Sequence, residues 1–192
     1  MTDAPLPSVP APRDPASPGP AAGLTVIVWV TEGTWPGCVD AARVLAPAGA
    51  AIVLLHISPE EVPGTAHGAY AGLLGRGHPE RDPGPRLAGL AAAAGRELLA
   101  AAADRLARPC TRIERRGRVE REVMAAADGA DLLILARDGD RGRLGPKSLG
   151  RADRFVVDHA PCPVLLVWPE GAPGVGTIPP PPPHPPHHRP GP

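Results

Sequence analysis

The sequence predicts an α/β fold, an open doubly wound parallel sheet of five strands with helices on both faces. Three observations predict it. Four short apolar runs, residues 25–30, 52–57, 132–135 and 164–168, show no regular polar alternation, which is how a strand reads when helices cover both faces of a parallel sheet. The stretches between them carry apolar residues near the 3.6 period and are punctuated by proline and glycine, as amphipathic helices are. Strand and helix candidates alternate, five with four, and such alternation makes a parallel sheet with crossover helices the economical architecture.

Residues 1–23 are proline-rich and too poor in large apolar side chains to offset the entropy of ordering, so they are expected to be an arm without a fold. Residues 25–30, TVIVWV, form the first strand. Thr34, Trp35 and Pro36 open a helix, proline being tolerated in a first turn. That helix is expected to carry Cys38, Val39, Ala42 and Leu45 on one face and to stop at Pro47, and Gly49 turns the chain into the second strand. Residues 58–85 scatter proline and glycine without a period, and a loop that long is usually functional or mobile. An alanine-rich helix follows over 86–108, with Leu87, Leu90, Ala94, Leu98, Ala102 and Leu106 as its apolar stripe and Pro109 as its end. Residues 110–114 alternate, as an edge strand with one wetter face does. Val119, Val123, Met124 and Ala127 mark a short helix closed at Gly129. The fourth strand stops at Arg137, and a charged loop with Gly139, Gly142, Gly145 and Pro146 follows it. A helix opens near Gly150, with Ala152, Phe155, Val156 and His159 on one face, and ends before Pro161. Residues 164–168 complete a βαβ unit, right-handed by default.

That strand, glycine loop, helix and the ending HAPCPVLLV at residues 159–167 resemble the C-terminal half of a universal stress protein domain. The resemblance covers roughly residues 24–170 and implies strand order 3-2-1-4-5 in a Rossmann-like sheet. Nucleotide-binding members of that family carry a G-x2-G-x9-G-[ST] loop. Here Ala136 stands at the first glycine, Gly139 at the second, Gly150 at the third after one extra residue, and Arg151 replaces the hydroxyl residue. Thr31 matches the position that holds the ribose, normally an aspartate, and Ile57 the backbone position that meets adenine. The phosphate loop therefore reads as degraded. Either Arg151, with Lys147, takes over anion binding near a helix N-terminus, or nucleotide binding is lost and Arg137, Asp138, Asp140 and Arg141 form surface ion pairs of small value.

The resemblance also implies a homodimer through the last strand, Val164, Leu165, Leu166, Val167 and Trp168, an apolar edge without charge. The function it implies is a noncatalytic stress-response module acting through dimerisation and binding of a partner or small ligand. The alternative is an ATP-binding module with slow hydrolysis or nucleotide-dependent switching.

Composition narrows the classes further. With 43% apolar and 21% charged residues and a formal net charge of +0, the chain reads as neither a disordered protein nor a nucleic-acid binder relying on bulk charge. Cys38, Cys110 and Cys162 lie far apart, without disulfide or zinc spacing. The start lacks a signal-peptide pattern and no run is long enough for a membrane span, so a cytoplasmic protein is expected. No G-x-S-x-G elbow occurs. His56 at a strand end reads as a structural histidine before a catalytic base, and Cys162 as a buried thiol before a redox centre. Residues 171–192 form a proline and histidine tail, where His184, His187 and His188 read as a solvated segment before a metal site.

Overall fold

A computed structural model describes residues 23–60 and 82–180. The elements in order are β1 (Thr25–Trp29), α1 (Trp35–Leu45), β2 (Ala51–Pro59), α2 (Pro83–Leu106), β3 (Thr111–Gly117), α3 (Val119–Ala127), β4 (Leu132–Ala136), α4 (Arg151–His159) and β5 (Val164–Val167). Single 3-10 turns at Pro146–Ser148 and Val175–Thr177 complete them. The sheet runs β3-β2-β1-β4-β5 with every pair parallel, as expected.

Two cores account for the two covered faces. Val26, Val28, Val30, Ile52, Leu54, Ile134 and Ala136 pack against α1 and α2 on one side. Ile27, Trp29, Leu55, Ile57, Leu133 and Leu135 pack against α3 and α4 on the other. Alternate residues of a strand face opposite ways, so an unbroken apolar run serves both cores at once. β3 lies at an edge and keeps Arg112, Glu114 and Arg116 along its length, a common protection of an unpaired edge.

The helices are where the structure departs from the periodicity. In α1 the inward residues are Cys38, Val39 and Ala42, while Leu45 is exposed and Ala46 beyond the helix end is buried instead. α2 begins earlier than expected because the Asp82 side chain accepts from Gly84 N at 2.8 Å and Pro83 fills the first turn. Its buried face is Gly95, Leu99, Ala102 and Leu106, and Leu87 and Leu90 lie outside the core. In an alanine-rich helix several phases offer similar apolar content, so contact with the sheet selects one.

Of the two terminal segments, residues 1–22 and 181–192 lie outside the described residues, as do residues 61–81 of the long loop and the three tail histidines. Residues 171–180 are described and meet the β4–α4 loop, where Leu144 N donates to Thr177 Oγ1 at 3.0 Å. Removing residues 1–22 and 181–192 together is expected to leave the melting temperature unchanged, since neither segment offers apolar surface to bury. Cutting back to residue 171 also removes the Thr177 contact and is expected to cost about 1 kcal/mol. Thermal melts of the three lengths check this, and a large fall after the first cut would overturn the 24–170 boundary.

Candidate functional site

The chain runs outward from β1 through β2 to β3 and later from β4 to β5 in the opposite direction. Ligands of doubly wound folds bind beyond the carboxyl ends of the strands at such a reversal, here β1 and β4. The register sets what meets there. Val28 pairs with Ile134 and Trp29 with Leu55, so two residues further on Val30 stands level with Ala136 and Thr31 with Ile57.

Of the expected site residues, Thr31 is half-buried and its carbonyl accepts from Thr34 N at 3.2 Å and Trp35 N at 3.0 Å, which starts α1. Ile57 is buried among the side chains of the α3–α4 face. Ala136 ends β4 and is buried on the opposite face. Gly139 N donates to Ser148 O at 2.9 Å and Asp140 N to Lys147 O at 2.8 Å, closing the loop on itself. A Cβ at Gly139 would lie 2.4 Å from Lys147 O, so the closure requires glycine.

Gly150 is the N-cap of α4, and its N–H donates to Asp138 Oδ1 at 2.6 Å. A Cβ at Gly150 would come within 2.4 Å of both Asp138 carboxylate oxygens. The carboxylate of Asp138 therefore sits at the position where a helix N-terminus receives an anion. Arg151 is exposed and lines a cleft between α3 and α4. Lys147 is exposed in the 3-10 turn.

Several residues of the site were not anticipated. Asp153, in the first turn of α4, is 4% exposed and its Oδ2 has no hydrogen-bond partner. Burial, then the neighbouring Asp138 carboxyl with which it is hydrogen-bonded, pushes its pKa up to about 8. At neutral pH the Asp153 carboxyl is therefore protonated, because burial beside a second carboxyl disfavours its charged form. The inward face of α4 is thus Asp153 and Val156, whereas Phe155 and His159, expected inside, are exposed and stacked on each other at 4.2 Å. Of the four residues expected on that face, Ala152 and Val156 do pack into the core. A buried aspartate at the third helical position is a weak signal that the sequence did contain.

Arg137 also departs from the surface ion pair expected of it. Its N–H continues the ladder to Val167 O at 2.9 Å, its Nη1 donates to Ser148 Oγ, and its guanidinium carbon lies 4.8 Å from the Trp168 ring centroid. Held between a hydroxyl and an aromatic face, this cation braces the β4–α4 loop on the end of β5. Asp138 likewise pairs with backbone and with Asp153, while Asp140 with Arg143 at 2.9 Å and Arg141 with Glu170 at 3.6 Å do form exposed ion pairs.

The reactive side chains elsewhere are occupied. His56 Nδ1 lies 2.9 Å from Val30 O, and because a carbonyl only accepts, Nδ1 carries the proton and ties β2 to the end of β1. Burial pushes the Cys38 thiol up to about 12, and burial also raises Cys110 and Cys162, so none is a thiolate at neutral pH. Among the described residues no group of three or more histidines, cysteines and carboxylates is placed to hold a metal ion. No described helix is long and apolar enough to cross a membrane.

Fold and site together define a Rossmann-like α/β module whose β4–α4 loop carries two carboxyl groups, Asp138 and Asp153, at the start of α4. The model of the universal stress protein family matches residues 38–167, and the chain belongs to that family. Among solved structures it is similar to the hypothetical protein MJ0577, with 16% identity and a TM-score of 0.53 over 78% of this chain and 98% of that one. It is also similar to the universal stress protein UspA from Lactobacillus plantarum, with 19% identity and a TM-score of 0.50 over 75% of this chain and 97% of that one. No match was found among curated proteins.

Proposed function

We propose that this protein is a cytoplasmic, noncatalytic stress-response module that works by pairing with a second copy and by binding a protein partner or small ligand, not as an ATP-driven switch. The observation that carries the choice is the Asp138 carboxylate on Gly150 N at 2.6 Å. An incoming phosphate meets that negative charge, with Asp153 behind it, at the place where glycine-loop relatives receive phosphate. Of the cations that would compensate, Arg137 is held by Ser148 and Trp168, and Arg151 lines the α3–α4 cleft. The engaged His56 and the protonated thiols support a role without an activated base or nucleophile.

Thermal melts with ATP and magnesium test this at neutral pH. A ligand at a hundredfold excess over its dissociation constant adds about 2.7 kcal/mol of stability, so a binder raises the melting temperature by several degrees. The expected result is no rise for the wild type and a measurable rise for Asp138→Asn, which keeps the shape of the loop and removes the charge. A rise in the wild type that Arg151→Ala abolishes would establish the nucleotide reading instead.

A further inference from the structure

We propose that the cleft between α3 and α4 is a second binding site, selective for a small aromatic carboxylic acid. The two helices are only nine residues each and pack side by side on one face of the sheet, leaving between their outer surfaces a cavity of about 910 Å³. That size lies in the range of small-molecule sites. Its walls combine an apolar surface of Met124, Leu149 and Phe155 with the cations Arg121, Arg151 and Arg154.

Each half of this arrangement points to the same ligand class. Phe155 is the chain's single phenylalanine, yet it is 43% exposed and lies flat against His159, with 14° between the rings. An aromatic pair left open in a concave site is a platform for another planar ring. Charge supplies the other half. Arg118 is paired with Glu120 at 3.6 Å and Arg154 donates to Pro146 O at 2.6 Å, but Arg121 and Arg151 have no hydrogen-bond or ion-pair partner among the described residues. Two unpaired guanidinium groups, one from each helix, favour a carboxylate through charge-assisted hydrogen bonds. Asp158 and Glu120 on the same walls disfavour a multiply charged phosphate. A ring on Phe155 with its carboxylate between Arg121 and Arg151 satisfies both halves.

The cleft shares Gly150 and Arg151 with the loop at the β1–β4 crevice, whereas Arg121, Met124 and Phe155 belong to the cleft alone, so their variants read the cleft separately. Isothermal titration with 1-naphthoate tests it, with neutral 1-naphthol and AMP as the other arms. The expected result is saturable naphthoate binding that weakens as salt is added, with naphthol and AMP binding at least tenfold more weakly. Arg121→Gln with Arg151→Gln should reduce naphthoate affinity tenfold or more, and Phe155→Leu, which keeps the apolar volume and removes the ring, several-fold. Unchanged melting temperatures show that these variants are folded. Absence of saturable naphthoate binding to the wild type, equal affinity for naphthol, or equal affinity of the folded arginine variant would overturn the proposal. So would AMP binding tighter than naphthoate and lost with Arg121→Gln, which would make the cleft a phosphate site.

Discussion

Changing Leu165 and Val167 together to lysine is expected to turn a homodimer into a monomer. Among the described residues β5 is an outer strand of the sheet and pairs with β4 alone, so the other side of its backbone has no strand partner there. Its residues Val164, Leu165, Leu166 and Val167 carry no charge and are half-buried, whereas the residues of β1 and β4 beyond the first are buried. The opposite edge is protected by Arg112, Glu114 and Arg116 on β3, and the residues of β5 itself carry no such charge. An apolar edge of this kind invites pairing with a second copy about a twofold axis. Because Leu165 and Val167 also pack against the core beneath α1, the double change removes apolar burial and is expected to destabilise each domain by about 2–4 kcal/mol as well. Wild-type melts separate the two effects, since the melting temperature of a dimer rises with protein concentration. A wild-type chain that remains monomeric by light scattering at high micromolar concentration would sink the dimer.

The second large effect is a loss of stability as pH rises through the neutral range. Asp153 titrates at about 8 in the folded chain and near 3.9 when unfolded. A carboxyl whose folded pKa is raised binds its proton more tightly in the folded state. Its contribution is therefore fully present below about pH 4 and falls as pH rises toward 8. The slope is at most one proton, about 1.4 kcal/mol per pH unit, for this pair. Asp153→Asn supplies an uncharged donor to Asp138 at every pH, so it should flatten that fall and melt higher than the wild type at pH 8 and above. Melts of both proteins from pH 5 to pH 9 give the difference. Curves that run parallel throughout would show Asp153 ionised in the native state.

The parts of the fold that were legible in the sequence are those that a single segment decides. Residues 25–30 and 132–135 are unbroken apolar runs too short for helices, and burial on both faces of a parallel sheet is what such runs favour. Helix phase was less legible. The alanines of α2 and the aromatic residues of α4 made Leu87, Leu90, Phe155 and His159 look inward, and all four lie outside the core. The candidate site was legible at the closed loop, where Gly139 and Gly150 leave no room for a side chain.

The sequence alone determined the order of strands and helices, the crossover after each strand and the glycine positions of the loop, because local burial and backbone sterics act within a few residues. Tertiary structure decided what the loop holds. Arg137 meets Trp168 only because β4 and β5 pair in a register that sets Ala136 beside Val167. Asp138 reaches Gly150, and Asp153 comes to lie beside it with its pKa raised, only because the loop folds back on itself through Gly139 and Ser148. Side chains far apart in sequence acquire their charge state and partners from that folding, and a periodicity confined to one segment carries no record of it.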